Sequence, residues 1–249
     1  MIIQIIGLPG SGKTTLATAL KDRINALHLN ADYVRSTINS DLGFTSEDRV
    51  EHARRMGEMA RMLSGQGLDV VVDFICPTQK TRESFGKADI VVWMDTLKEG
   101  RFEDTNKMWE IPKFFDYKFE TFDAEAHVNN IIFTSRLHDW KAPTTLLLGR
   151  YQPWHEGHEA LKEKAHERTD QVLIGVRDTY GTSVKDPLTF EEVRGHIIQG
   201  TARPAIVMKL PNITNIVYGR DVGYKVEQVD LGADIHAISA TQKRKEMGI

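Results

Sequence analysis

The sequence has little cysteine, little excess charge of either sign and no long apolar run. Cys76 is its single cysteine, so an internal disulfide is excluded, as is usual for proteins of the cytoplasm. A formal net charge of -3 gives no electrostatic sign of a nucleic acid or a membrane as partner. No apolar stretch approaches the roughly 20 residues of a membrane-spanning helix, and Met1 opens a strand pattern with no cationic leader before it. We expect a cytoplasmic protein.

The composition is that of an ordinary globular protein, with 41% hydrophobic and 27% charged residues. A length of 249 residues is long for one domain and comfortable for two, each large enough to bury a core. Neither low-complexity tracts nor short-period repeats occur. The sequence therefore predicts two domains.

The most specific motif follows the apolar run 1–6. Residues 7–14 read GLPGSGKT, and apolar residues then recur at helical spacing. The pattern G-x-x-x-x-G-K-[ST] between a strand and a helix is a P-loop, whose backbone N–H groups and helix N-terminus bind phosphates. Lys13 is predicted to reach the β- and γ-phosphates and Thr14 to bind Mg²⁺. The predicted ATP-binding residues are Gly7, Pro9, Gly10, Ser11, Gly12, Lys13, Thr14 and Thr15.

A second group of candidates follows a short strand pattern at residues 27–29, which we expect to be buried. Strand ends of an open α/β sheet face the ligand crevice, so Asp32 and Arg35 are expected beside the phosphate acceptor. Asp32 would take the proton of an attacking hydroxyl and Arg35 would bind an anion. The alternative is that Asp32 only caps the next helix. Phe44, in a polar loop, is predicted to stack on a base.

Further along the chain, Asp73 ends the apolar strand pattern 70–72 in a position like that of a Walker B carboxylate. It is predicted to hold Mg²⁺ together with Thr14.

Thr45 or Ser46 is expected to cap a long helix. Residues 96–121, rich in charge and aromatic rings, are expected to form a lid over ATP.

Three segments in this order, GLPGSGKTT, NADYVRSTINSDLGFTSEDR and GLDVVVDFICP, resemble adenylylsulfate (APS) kinase over roughly residues 1–95. The resemblance implies an α/β P-loop kinase that transfers the γ-phosphoryl group of MgATP to the 3′-hydroxyl of a nucleotide such as adenylylsulfate. It makes Asp32 the acceptor-side aspartate, Arg35 and Arg49 anion-binding residues, and Phe44 the aromatic that stacks on the base.

This sequence departs from the family pattern at three of the resembling positions. The family usually reads D-G-D-N where this chain has Asn30 to Tyr33, so one carboxylate is missing. It reads S-F-I-S-P where this chain has Asp73 to Pro77, and an asparagine where this chain has His52.

The second half begins after a helix pattern at 125–138 and a break at Pro143. We place a P-loop kinase domain at 1–142 and a second domain at 143–249. A strand pattern at 145–148 leads into GRYQPWHEGH.

His155 and His158 are separated by two residues at a predicted helix start, where both can face one anionic centre, and Gly157 leaves room for a phosphate. They would stabilise charge on an α-phosphate under in-line attack. A metal site and a purely structural pair remain the alternatives. Lys162 and Lys164, on the same helix, are expected to be solvated.

The end of the chain, ISATQKR, is predicted to open a last helix toward the same phosphates. With GRYQPWHEGH it resembles the HxGH nucleotidyltransferases, whose nearest pattern is that of nicotinamide-mononucleotide (NMN) adenylyltransferase, with cytidylyltransferases more distant. The resemblance implies that residues 143–249 form a small Rossmann-like nucleotidyltransferase domain. Its predicted nucleoside triphosphate site comprises Gly149, Arg150, His155, Gly157, His158, Ser239, Thr241 and Arg244.

These features predict a bifunctional enzyme that uses Mg²⁺ and ATP, and possibly CTP in the second half. Its partners are small nucleotides, and a homo-oligomer is left open. The second half would move a nucleoside monophosphate to a phosphate-type acceptor and release pyrophosphate. Two alternatives stand: a riboside kinase joined to an NMN adenylyltransferase, as in NAD salvage, and an enzyme with one half reduced to a nucleotide-sensing module.

Overall fold

The computed structural model describes residues 1–201, 205–217, 219–220, 223, 225–233, 238 and 240–248. The chain divides into two compact units, Met1–Lys141 and Ala142–Ile249. Within the described ranges, no helix has both the length and the apolar composition required to cross a membrane.

A five-stranded parallel sheet forms the centre of the first unit, in the order β2-β3-β1-β4-β5. Its strands are β1 (Ile2–Gly7), β2 (Leu27–Asn30), β3 (Val70–Asp73), β4 (Ile90–Met94) and β5 (Tyr117–Phe119). The helices are α1 (Lys13–Ile24), α2 (Ala31–Ser36), α3 (Ser46–Gly65), α4 (Gln79–Phe85), α5 (Glu103–Met108) and α6 (Ala124–Thr134).

Two apolar clusters, both of which include β1 and β3 residues, form the core of this unit. One packs β1 and β4 against α1 and α6, and the other packs β1 and β3 against α3. Parallel strands carry apolar side chains on both faces because helices cover both faces. All six residues of β1 are buried, which explains the continuous apolar run at the start of the sequence.

Three local predictions need correction. The strand at residues 27–29 exists but is not buried: β2 lies at the edge of the sheet, and Leu27 is 43% exposed. The segment 96–121 is not wholly a lid, because residues 117–119 pair with β4 as the fifth strand and Phe119 belongs to the core. The helix expected to reach residue 138 ends at Thr134.

The second unit contains a parallel sheet in the order β6-β7-β8. Its strands are β6 (Thr144–Gly149), β7 (Gln171–Arg177) and β8 (Ile206–Leu210). The helices described are α7 (Glu156–His166), α8 (Phe190–Gly200) and α9 (Ala240–Met247). Strand, helix and strand alternate, so this unit is also of the α/β class.

Lys162 on α7 is not solvated, contrary to the sequence-based expectation. Its side chain is fully buried, and its ammonium group donates to Glu159 at 2.7 Å and to the hydroxyl of Thr201. A buried ammonium is tolerated where it is paired and hydrogen-bonded, as it is here. Lys164, two residues on, is half-exposed and pairs with Glu167.

Candidate functional site

The P-loop joins the end of β1 to the start of α1. Gly10 and Gly12 adopt φ values of +87° and +89°, a region that side-chain-bearing residues rarely enter. Gly12 occupies the N-cap position of α1 and no side chain caps that helix, so its first N–H groups are free of a side-chain acceptor. Such an N-terminus binds anions through main-chain donors and the helix dipole.

Lys13 folds back over this loop, where its Nζ donates to the carbonyl of Leu8 at 2.8 Å. Burial lowers the pKa of Lys13 to about 8, while the negative charges of Asp73 and Asp32 act in the opposite direction. A buried cation with carboxylates nearby is well placed to gain from a phosphate ligand.

The hydroxyl of Thr14 donates to Oδ2 of Asp73 at 2.6 Å. Burial opposes ionisation of Asp73, but hydrogen bonds from His28, Thr14 and Asn30 hold its pKa below the usual value. Asp73 is therefore a carboxylate at neutral pH. A hydroxyl and a carboxylate are the oxygen donors that Mg²⁺ prefers in proteins, so the two residues fit the predicted cation site.

A cleft in the first unit is lined by Arg35, Phe44, Arg49 and His52, among others. The guanidinium carbons of Arg35 and Arg49 lie 5.0 Å and 5.6 Å from the centre of the Phe44 ring. Arg35 also donates to the carbonyl of Gly43, and Arg49 to that of Phe44 at 3.0 Å. Phe44 is 67% exposed, so its ring is accessible. The structure thus brings together the three residues predicted to bind the acceptor.

Asp32 lies on the first turn of α2, but the alternative that it caps this helix is wrong. The cap is Asn30, whose side chain accepts from the N–H of Tyr33 at 2.9 Å. Asp32 acts electrostatically on both Lys13 and Arg35, one from the P-loop and one from the cleft. Its carboxylate is thus near both candidate binding regions.

His52 is buried at the wall of the cleft, and its Nδ1 lies 2.9 Å from the amide nitrogen of Asn39. Burial, reinforced by the charge of Arg35, lowers the pKa of His52 to about 4. The imidazole is therefore neutral at physiological pH and contributes an uncharged polar side chain to the lining of the cleft. Cys76 is also buried there, and burial raises the pKa of its thiol to about 12.

Two residues that sequence reasoning missed lie in the segment that follows β4. Asp104 on α5 forms an ion pair with Arg49 at 3.0 Å. Arg101 lies over the P-loop, with its Nε 3.4 Å from the place that a Cβ on Gly10 would occupy. Neither stands in a recognisable motif, and both contacts span long stretches of chain.

In the second unit, His155 is the N-cap of α7, and its Nδ1 accepts from the N–H of Gly157 at 3.2 Å. The rings of His155 and His158 stack at 3.8 Å between centroids. Burial, together with the charge of His155, lowers the pKa of His158 to about 3, and burial also lowers that of His155. Both imidazoles are neutral near pH 7 and would bind a phosphate as N–H donors.

Other predicted residues of this site have protein partners. Arg150 pairs with Asp186 at 3.1 Å, and Arg244 donates to the main-chain carbonyl of Gln152 at 2.7 Å and to Thr241 at 3.1 Å. The side chain of Gln152 makes two hydrogen bonds with the backbone of Leu188, at 2.8 Å and 2.9 Å. Gln152 therefore joins three segments of the site, a role that the sequence did not reveal.

Two predicted glycines and one serine complete the list. Gly149 has a packing reason of its own, since a Cβ there would lie 2.8 Å from the Tyr151 ring. Gly157 is buried at the start of α7. Ser239 lies outside the described residues. Within the described part of the chain, no group of three or more His, Cys, Asp or Glu side chains is arranged to hold a metal ion.

The comparisons with known proteins concern the first unit. Residues 1–96 match the family model described as adenylylsulphate kinase. Adenylyl-sulfate kinase 3 of Arabidopsis thaliana is 41% identical over 88 residues, 33% of this chain and 42% of that protein. The bifunctional enzyme NodQ of Azospirillum brasilense is 42% identical over 88 residues, 33% of this chain and 14% of that protein.

A solved structure of an APS kinase from Mycobacterium tuberculosis, a mutant form, is 25% identical, with a TM-score of 0.46, and covers 54% of this chain and 96% of that one. The sequence match spans less than half the length of the Arabidopsis and Azospirillum proteins. Over residues 1–96 the chain carries an APS kinase-type sequence, and the family match ends before β5.

Proposed function

We propose that the first unit is a kinase that transfers the γ-phosphoryl group of MgATP to the 3′-hydroxyl of adenylylsulfate or a closely related nucleotide. The observation that carries the proposal is the place of Asp32 on the first turn of α2, which also carries Arg35 of the aromatic cleft. Asn30, the residue before α2, contacts Asp73, which accepts from Thr14 of the P-loop. A carboxylate between a phosphate-binding loop and an anion-binding cleft is where a phosphoryl transfer needs its proton acceptor.

In the proposed reaction, main-chain N–H groups of residues 10–14 and the Lys13 ammonium hold the β- and γ-phosphates of ATP. Mg²⁺, held by Thr14 and Asp73, would neutralise charge that develops on these phosphates. Phe44 stacks on the base of the acceptor, while Arg35 and Arg49 bind its anionic group. The acceptor oxygen bonds to the γ-phosphorus as the bond to the leaving ADP breaks, and Asp32 takes the hydroxyl proton.

An acceptor panel tests this proposal. ADP formation by the full chain should depend on adenylylsulfate and not on nicotinamide riboside, gluconate or shikimate. Asp32→Asn should abolish transfer without weakening ATP binding, because the proton acceptor is lost while the phosphate-binding groups remain. Phosphorylation of nicotinamide riboside instead would favour the NAD-salvage alternative. ATP binding without transfer to any acceptor would favour a sensing module.

We infer that the second unit is a nucleotidyltransferase that moves a nucleoside monophosphate from ATP or CTP to a phosphate- or sulfate-type acceptor. The supporting observation is the stacked pair of neutral histidines at the start of α7, with Arg244 held beside the loop before it. N–H donors and cations around one helix start suit the extra charge of an attacked α-phosphate.

Pyrophosphate release tests the second activity. ATP, CTP, GTP and UTP would each be offered with sulfate, NMN and a panel of phosphorylated small molecules. One productive pair, lost in His158→Ala, would identify the reaction. Release with NMN and ATP would assign the NAD-salvage alternative, and no release with any pair would reduce this unit to a binding module.

A further inference from the structure

Three polar side chains converge on the carboxylate of Asp73 at the carboxyl end of β3. Asn30 on β2 is the register partner of Asp73, so the two residues lie side by side on adjacent parallel strands. His28 is two positions before Asn30 on the same strand, and side chains at i and i+2 point to the same face of a sheet. The third member, Thr14, comes from the first turn of α1.

Each oxygen of this carboxylate has one short contact of its own, and the amide nitrogen of Asn30 lies near both oxygens. Nε2 of His28 lies 2.6 Å from Oδ1, and the amide nitrogen of Asn30 lies 3.1 Å from the same atom. Oδ2 accepts from the hydroxyl of Thr14 at 2.6 Å and has a longer contact of 3.3 Å with Asn30. Asp73 itself is 2% exposed, so its orientation is set by these partners.

The orientation of Asn30 follows from a second hydrogen bond. Its side-chain oxygen is the N-cap acceptor of α2, bonded to the N–H of Tyr33 at 2.9 Å. The amide nitrogen must then face Asp73, because the oxygen is engaged on the other side. An aspartate at residue 30 would also cap the helix but would place a second carboxylate against the first.

We propose that His28 and Asn30 are positioning residues that hold Oδ1 of Asp73 and thereby direct Oδ2 toward Thr14, so that this pair binds the divalent cation accompanying ATP. The proposal rests on the proposed kinase function of the first unit. A Thr14 hydroxyl that donates its proton to Asp73 keeps lone pairs of Oγ1 available for a cation. Groups that orient metal ligands in this way commonly contribute tenfold or more to metal affinity.

Substitution of His28 with and without a hydrogen-bond donor tests the proposal. His28→Leu removes the donor, whereas His28→Gln keeps an N–H donor at a similar reach. Leu27→Gln is the matched control, because Leu27 is the preceding residue of β2 and its side chain points to the opposite face. Thr14→Ala measures the part of the cation binding that depends on the P-loop.

The measurement is the binding of Mn²⁺ to the full chain in the presence of a non-hydrolysable ATP analogue. Electron paramagnetic resonance detects the free and bound Mn²⁺. We expect His28→Leu to weaken the Thr14-dependent binding by about 10- to 100-fold. His28→Gln and Leu27→Gln should bind as the wild type does. Affinity for the analogue in the presence of EDTA should be the same in the wild type and the three β2 variants.

Two results would overturn the positioning role while leaving the proposed kinase intact. One is unchanged Mn²⁺ binding by His28→Leu; the other is an equal loss of analogue binding with and without Mn²⁺, which would make His28 a structural residue. A wild-type chain whose P-loop binds the analogue no better with Mn²⁺ than without it would contradict the proposed kinase site as well.

Discussion

Arg49 of the acceptor cleft and Asp104 of α5 form an ion pair at 3.0 Å, in which the Arg49 side chain is 10% exposed and that of Asp104 is 63% exposed. The same arginine lies against Phe44 and is a predicted ligand of the acceptor's anionic group. Asp104 would therefore compete for Arg49 with the acceptor that we propose. Asp104 and Arg101 lie on one short segment, so the contact with Arg49 and the contact with the P-loop involve the same stretch of chain.

Asp104→Asn is expected to strengthen acceptor binding. An exposed ion pair is worth up to about 1 kcal/mol, so its removal should lower the KM for an anionic acceptor by about two- to fivefold. Steady-state kinetics at fixed MgATP measure the effect. Glu103→Gln, which removes a neighbouring carboxylate paired with Lys107, is the matched control and should change nothing. A KM that rises in Asp104→Asn would mean that Asp104 supports the cleft.

Exchange of the register partners Asn30 and Asp73 gives a second prediction. Asp73→Asn should raise the Mg²⁺ concentration for half-maximal transfer by tenfold or more, because the buried carboxylate is lost. Adding Asn30→Asp returns a carboxylate to the adjacent strand and should recover much of that loss. Asn30→Asp alone should lower the thermal midpoint, since two carboxylates would then lie at contact distance. A double variant no better than Asp73→Asn would refute the interchange.

Substitution of Lys162 should destabilise the second unit. Lys162→Ala would leave the partly buried Glu159 without this partner, at a cost of about 3–5 kcal/mol in the free energy of unfolding. Lys164→Ala on the exposed side of α7 should cost less than about 0.5 kcal/mol. Urea unfolding of the full chain, monitored by hydrogen exchange in α7, distinguishes the two. Equal stability of both variants would show that the buried ammonium contributes little.

The histidine pair predicts acid sensitivity of the second unit. The pKa of His158 is about 3 in the folded chain, below its unfolded value, so the unfolded state binds more protons as the pH falls below about 6.5. Stability should therefore decrease between pH 7.5 and 5.5 by about 1 kcal/mol from this group alone. His158→Asn should lose that part of the pH dependence, whereas His196→Asn on α8 should keep it. Identical profiles for wild type and His158→Asn would contradict the assignment.

Local signals in the sequence located much of the first site. The P-loop is one continuous strand, loop and helix, and Thr45 caps α3 through a capping box with Asp48, so both can be read from neighbouring residues. Arg35 and Phe44 of the cleft were predicted from their local context and Arg49 from a family resemblance, and the structure brings them together. Their roles in binding and catalysis stay predictions.

The features that the sequence did not reveal depend on contacts between distant segments. Neither the pairing of Asn30 with Asp73 nor the ion pair of Arg49 with Asp104 has a local pattern, because strand register and loop packing decide them. The burial of Lys162 did have a signal: Ala165, three residues on, lies on the same face of α7 and is buried. The prediction that Lys162 is solvated gave its charge more weight than this helical periodicity.

The most direct test of the account is the identity of the phosphorylated product. The full chain would be incubated with ATP, Mg²⁺ and adenylylsulfate, and the product analysed by phosphorus NMR and mass spectrometry. We expect one new phosphomonoester on the 3′-oxygen, absent with Asp32→Asn. ATP turnover that leaves adenylylsulfate unmodified while another acceptor is phosphorylated would contradict it.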